Sequence, residues 1–242
     1  MTAMTTAATK ATIMPTKLPA TPSPASWQTL RASMEQAGVG WQPELERWLD
    51  ALLALLQDGQ AQTNLVGDAS ADGLASHLAE AWVLARLVES VLGGPPRRAA
   101  DVGAGAGLQG LGWAQRWPDA QVALVEPRTK RAQFAAATAA DLRLANVQVI
   151  QRSLSVAGLQ GQLDFASARA VWPLPEWLPH GKALLRPGGV LGVHVRGPIA
   201  DWQANWAELQ RTTPALRGWQ LLASAEVPGP RRNVVAVLRP PA

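Results

Sequence analysis

Asp101-Val-Gly-Ala-Gly-Ala-Gly-Leu-Gln-Gly110 stands between an apolar run, residues 99–102, and a segment with helical patterning that starts at Leu108. Glycines placed there let the main chain turn tightly and leave it bare, so that a ligand can lie against it beside the positive end of a helix. A nucleotide-like cofactor suits that chemistry. The same letters hold two registers: Gly103-x-Gly105-x-Gly107 preceded by Asp101, and Gly105-x-Gly107-x-x-Gly110, which matches the dinucleotide fingerprint. The first begins directly after the apolar run; the second begins two residues late. Glu126 closes the next apolar run, Val122-Ala-Leu-Val-Glu126, where a carboxylate would accept hydrogen bonds from both hydroxyls of an adenosine ribose. Both registers expect that acid, so it supports adenosine without deciding the cofactor.

Downstream of the turn, short apolar runs alternate with helix-like segments. Strands are predicted at residues 99–102, 121–125, 147–150, 163–167 and 190–195, and helices at 108–115, 128–144, 174–185 and 200–211. This alternation implies an α/β fold with a parallel sheet and helices on both faces. Two more strands, 219–227 and 233–238, have only Pro228-Gly229-Pro230-Arg231-Arg232 between them. Five residues cannot carry a crossover helix, so this pair should be antiparallel. A parallel sheet ending in an antiparallel pair resembles the Rossmann-like sheet of class I S-adenosylmethionine-dependent methyltransferases, which favours that cofactor over a nicotinamide one. Upstream, apolar residues recur at helical spacing, as in Trp48, Leu52, Leu55, Leu56 and again Leu84, Leu87, Val88, Val91, until Gly93-Gly94-Pro95-Pro96 breaks the pattern. The expected organisation is a disordered tail at 1–25, a helical module at 26–94 and a cofactor-binding domain at 97–242.

Composition narrows the chemistry. At 242 residues, 48% of them apolar, the chain can bury a full core. It has no cysteine, which excludes a disulfide scaffold, thiolate metal ligation and cysteine nucleophilic catalysis. Its three histidines, His77, His180 and His194, share no helical face at i, i+4, so no metal site is expected. No apolar stretch is long enough for a membrane span or a signal peptide, and a soluble cytoplasmic protein is the expectation, with a monomer as the expected state. Residues 1–96 carry 5 Lys or Arg against 9 Asp or Glu, whereas residues 97–242 carry 17 against 9. A basic second part points toward a polyanionic partner.

A specific resemblance is carried by the glycine turn, by Glu126 followed by Lys130-Arg131, by Asn146-Val147, by Asp164-Phe-Ala-Ser-Ala-Arg-Ala170, by Leu185-Arg-Pro-Gly-Gly189, by Arg196-Gly197 and by Arg232-Asn-Val-Val235. In this order they resemble the bacterial glucose-inhibited-division B family, methyltransferases that modify N7 of a guanine in small-subunit (16S) ribosomal RNA. The resemblance covers most of residues 45–240, and Ser167-Ala-Arg-Ala170 is its most specific element. It implies S-adenosylmethionine as cofactor and the small-subunit RNA, free or in the particle, as partner. It also implies that Gly103, Gly105 and Leu108 line the cofactor pocket, that Glu126 holds the ribose, that Ser153 and Leu154 bracket the adenine, and that Arg169 sits by cofactor and entering base as the catalytic residue. The alternative for Arg169 is an ion pair with Asp101 or Glu126. Arg128, Lys130, Arg131, Arg196, Arg231 and Arg232 are candidate phosphate contacts, and Trp172 and Trp177 either stack on the base or fill the core.

The chain departs from the family mostly before residue 95, where Asn64, Leu65 and His77 survive of the usual motifs, and in Gln109, Leu154 and Arg196. These departures bear on RNA placement more than on cofactor binding. Two other functions remain open from the sequence: a non-catalytic RNA-binding or ribosome-binding relative, and an NAD-dependent oxidoreductase using Gly105, Gly107 and Gly110.

Overall fold

The computed structural model describes residues 25–229 and 233–241. The tail expected at 1–25 thus falls outside the described residues except for Ala25, as do Arg231 and Arg232. Seven strands form one sheet: β1 (Arg98–Val102), β2 (Gln121–Val125), β3 (Val147–Ile150), β4 (Leu163–Ala168), β5 (Leu185–Arg196), β6 (Gln220–Val227) and β7 (Asn233–Arg239). Their order is β3-β2-β1-β4-β5-β7-β6. The first five run parallel, and β7 lies antiparallel between β5 and β6.

Alternation along each strand feeds two cores. In β2, Val122 and Leu124 face one layer while Ala123 and Val125 face the other; in β7, Val235 and Val237 oppose Val234, Ala236 and Leu238. A strand buried on both faces reads as a continuous apolar run, as β2 does after Gln121, whereas β3 at the sheet edge is only half-buried and alternates around the exposed Gln148. The first core is covered by α3 (Ala71–Leu92), α4 (Leu108–Arg116) and α5 (Thr129–Asp141), and the second by α6 (Leu174–Leu184) and α7 (Ile199–Thr212).

The long helix α3 starts at Ser70, whose hydroxyl accepts from Gly73 N at 3.1 Å, and ends at Gly93 with φ 78°. It packs against α4, β6 and β7. Trp82 Nε1 donates to Gly112 O at 3.0 Å, and Trp113 Nε1 returns a bond to Ala81 O at 2.9 Å. The earlier helices, α1 (Ala25–Gln36) and α2 (Pro43–Gln62), are tied by Trp27 Nε1 to Asp50 Oδ1 at 2.7 Å. By this packing α3 serves as a layer of the sheet.

Two boundaries differ from expectation by more than one residue. Strand β5 begins at Leu185 rather than at 190, because Leu185 pairs with Leu163 before Pro187-Gly188-Gly189 bulges out and pairing resumes at Val190 with Phe165. The helix expected to reach 144 stops at Asp141, since Arg143 turns left-handed at φ 58°.

Candidate active site

The turn after β1 is built from main chain. Gly103 N and Ala104 N both donate to Val125 O, at 2.8 and 3.1 Å, and Gly107 N donates to Ala104 O at 2.8 Å. Gly103, Gly105 and Gly107 adopt φ of 70°, 59° and 79°, a region costly for any residue with a Cβ. Gly103 is the first residue past the strand, as the first register requires. Gly110 has a separate duty: a Cβ there would lie 2.0 Å from Leu124 Cδ2, so glycine lets α4 settle onto β2. No atom lies within 4 Å of the place a Gly105 Cβ would take, and this side of the turn is open.

Two buried carboxylates brace the turn. Asp101 Oδ2 accepts from Gly110 N at 3.0 Å. Burial pushes its carboxyl up to about 7; the Gly110 amide and the Arg169 charge oppose the rise and Glu126 adds to it. Glu126, also buried, accepts from Gly105 N through Oε2 at 2.8 Å and from Arg128 N through Oε1 at 2.9 Å. Glu126 N donates to Ile150 O at 3.1 Å, which sets the ends of β2 and β3 side by side. Ser153 and Leu154 follow on the β3 end, where Leu154 opens a short 3-10 turn, Leu154–Val156, and the Ser153 hydroxyl is 3.1 Å from that of Ser155. Gly103, Gly105 and Glu126 are thus joined by direct or adjacent bonds. The Leu108 side chain is buried in the first core.

Arg169 follows β4, and its partner is neither Asp101 nor Glu126. Its Nε and Nη2 donate to Glu80 Oε2 and Oε1 of α3 at 2.6 and 3.1 Å, and Nη1 is 3.0 Å from His77 Nδ1. The reason is packing: α3 lies across the sheet and carries a carboxylate, 2% exposed, that needs a cation. Asn233 Nδ2 of β7 donates to Glu80 Oε1 at 2.6 Å, and His194 Nδ1 of β5 lies 3.3 Å from Oε2. Burial alone would raise the Glu80 carboxyl, yet His194 and Arg169 reverse this and hold it down at about 2. His194 Nε2 is in turn 3.2 Å from the buried Ser167 hydroxyl. Sequence reasoning missed Glu80, His194 and Asn233 as a group. One signal was present: Glu80 is an acid amid Leu78, Ala79, Ala81 and Trp82, on the apolar face of α3.

Beyond Arg169 the chain bends back over the glycine turn. Ala170 takes φ 56°, and Val171 presses so near Gly103 that a Cβ on the glycine would be 2.3 Å from Val171 Cγ2. Trp177 is a core residue, 2% exposed, and half-buried Trp172 stacks on it with ring centroids 5.9 Å apart. Of the basic residues, Arg131 donates to Asn64 O at 3.0 Å, tying α5 to the loop after α2. Arg196 lines a cleft of about 350 Å³ between the end of β5 and α7, together with Trp202. No helix among the described residues is long and apolar enough to cross a membrane.

A parallel sheet with an antiparallel penultimate strand at one edge, a glycine turn after β1 and an acid after β2 define the class I methyltransferase fold. A protein of Pyrococcus horikoshii described as a transferase shares it, with TM-score 0.53 and 17% identity over 68% of this chain and 63% of that one. So does TYW2 of P. horikoshii, solved in complex with MeSAdo, at TM-score 0.50 and 16% identity over 64% and 60% of the two chains. These likenesses concern the fold alone.

Sequence comparison is more specific. The family described as GidB, rRNA small subunit methyltransferase G, matches residues 45–225, and the chain belongs to that family. Ribosomal RNA small subunit methyltransferase G of Mycobacterium leprae is 35% identical over 172 residues, covering 68% of this chain and 66% of that protein. Its namesake in Halorhodospira halophila is 35% identical over 150 residues, 62% and 68% of the two. That of Stenotrophomonas maltophilia is 37% identical over 119 residues, 48% and 56% of the two. The matched stretches therefore span about half to two thirds of these relatives' lengths.

Proposed function

We propose that this chain transfers the methyl group of S-adenosylmethionine to N7 of a guanine in small-subunit ribosomal RNA. The observation that carries this reading is the family match over residues 45–225, a range that takes in the glycine turn, Glu126 and Arg169. The residues fit an adenosyl cofactor. The open side of the turn at Gly105 can take a ligand against bare main chain, and each Glu126 oxygen, with one backbone amide already bound, keeps a lone pair for a ribose hydroxyl. Ser153 and Leu154, on the neighbouring strand end, would border the adenine. Bound there, the cofactor supplies a methyl group activated by a sulfonium centre.

The chain's own work is placement. Guanine N7 holds an available lone pair at neutral pH, so the acceptor needs no general base. Holding two reactants in line contributes about 7–11 kcal/mol in favourable cases, without acid, base or nucleophile. Arg169 stands at the end of β4, next to the turn, where its guanidinium would orient the reacting groups and Val171 would exclude water. Arg128, Lys130 and Arg131 at the start of α5, with Arg196 at the end of β5, would collect RNA phosphates. The substrate would be the naked RNA or the assembled subunit, met in the cytoplasm. The test uses the purified chain, labelled cofactor and small subunits from a strain lacking its own enzyme. Label at N7 of a guanine is expected, and no label in RNA or subunits overturns the reading.

A further inference from the structure

Five polar side chains from four distant segments meet behind the glycine turn: Glu80 of α3, Arg169 after β4, His194 of β5, Asn233 of β7 and His77 of α3. Glu80 is their centre, since Arg169, Asn233 and His194 all converge on its two oxygens. A buried charge of this kind is retained at a cost in desolvation, and apolar residues in place of Glu80 and Arg169 together would serve packing as well or better. Its use must lie in what it holds.

What it holds is one edge of a guanidinium. Nε and Nη2 of Arg169 dock on Glu80 as a fork, so the plane and direction of the group are fixed, while its side chain stays 28% exposed. The next two residues then have little freedom. Ala170 is drawn into a left-handed conformation that a residue with a Cβ seldom takes, and Val171 is delivered onto Gly103.

Building on the proposed methyl transfer, we propose that Glu80 is a positioning residue: by docking the Nε–Nη2 edge of Arg169 it fixes the segment after β4 that covers the glycine turn. Glu80 touches neither cofactor nor base in this arrangement and acts through Arg169.

The experiment is a double-mutant cycle on the full chain, read by calorimetric binding of S-adenosylhomocysteine and by the Arg169 Nε–H signal in nitrogen-15 spectra. Glu80→Gln keeps the shape and removes the charge; Arg169→Lys keeps a charge and removes the fork. Glu80→Gln is expected to weaken binding about tenfold in the native background and less than twofold with Arg169→Lys, because the partner it positions is gone. Glu80→Asp, which keeps the charge, is expected to recover most of the affinity, and Glu80→Met, which also removes the charge, replaces Glu80→Gln in the cycle if that variant does not fold. A fall in melting temperature with unchanged affinity overturns the proposal, and so do equal losses in both backgrounds. If the native chain binds no S-adenosylhomocysteine, the functional reading fails, and the spectra still decide the positioning. A slowly exchanging Arg169 Nε–H that survives Glu80→Gln overturns it, and its loss supports it.

Discussion

Asp101 and Glu80 are both carboxylates sealed from water at the same end of the sheet, with 3% and 2% of their surface exposed, yet they are driven in opposite directions. Asp101 receives one backbone N–H, from Gly110, and burial lifts it to about 7. Glu80 receives a guanidinium fork and an amide, with an imidazole 3.3 Å away, and is held at about 2. Burial is common to the two; the difference lies in what faces them. The turn at Asp101 is made by main chain from one short stretch, and it needs the acid mainly as a hydrogen-bond acceptor. The cluster at Glu80 is made by side chains, and it needs a charge.

The largest expected effect comes from removing the cation that Glu80 faces. Arg169→Met strands a buried carboxylate, and breaking such a pair costs ~3–5 kcal/mol. Because Arg169 is partly exposed, the lower end applies. At ~2–4 °C per kcal/mol for a chain of this size, the melting temperature should fall by about 10 °C. Adding Glu80→Leu to Arg169→Met should restore most of that loss, as replacement of a buried pair by apolar groups is often neutral. A double variant as unstable as the single one would mean that Glu80 is held by its other neighbours, and the contrast with Asp101 would lose its basis.

Glu126→Ala sharpens the contrast from the cofactor side. This acid belongs to the main-chain region but retains lone pairs for a ligand. A charged acceptor bonded to hydroxyls contributes ~1.5–3 kcal/mol per bond, so S-adenosylhomocysteine should bind about a hundredfold more weakly. RNA affinity should stay within about twofold if phosphate contacts dominate it. Equal losses of both would show that Glu126 braces the turn and does not meet the ribose.

How far the sequence could disclose these regions follows from how they are built. Most of the local structure was legible: β2 and β3 to the residue, Gly103 following the first strand, Glu126 directly after the second. Their signals lie within a few residues, in glycine spacing and apolar runs. The Glu80 cluster was not legible, because Arg169 and Glu80 are 89 residues apart and Asn233 and Glu80 are 153 apart. Nothing in a linear pattern pairs them, and the alternative partners of Arg169, Asp101 and Glu126, were the acids of the cofactor motif. The bulge at Pro187-Gly188-Gly189 was missed for a related reason. Those residues read as a turn, and only pairing of Leu185 with Leu163 makes them part of a strand.

Opposite shifts also predict opposite pH dependence. Asp101, raised from an ordinary 3.8 to about 7, contributes stability that is complete below about 4 and is lost as pH rises through 7. Glu80, lowered from 4.5 to about 2, contributes stability above 4.5 that is lost only as pH falls toward 2. Between pH 5 and 7.5 only Asp101 of the two should act. Asp101→Asn retains an oxygen for the Gly110 amide and has no proton to lose, so its melting temperature should decline less than that of the native chain across that window. Parallel curves for the two proteins would place the Asp101 carboxyl outside it.

Gln109 extends the series to a neutral group and gives the smallest effect. It is 4% exposed in the first turn of α4, and neither its amide nitrogen nor its oxygen has a partner. A buried amide left without hydrogen bonds costs ~1–3 kcal/mol, whereas methionine has similar length, suits a helix and adapts to irregular space. Gln109→Met should therefore raise the melting temperature by a few degrees, at ~2–4 °C per kcal/mol. The binding of S-adenosylhomocysteine decides what the amide is for. If affinity is unchanged, the turn works through main chain and Glu126, and position 109 only fills space behind it. If the variant is more stable but binds less tightly, then the amide meets the cofactor. The turn would in that case depend on a side chain after all, as the Glu80 cluster does.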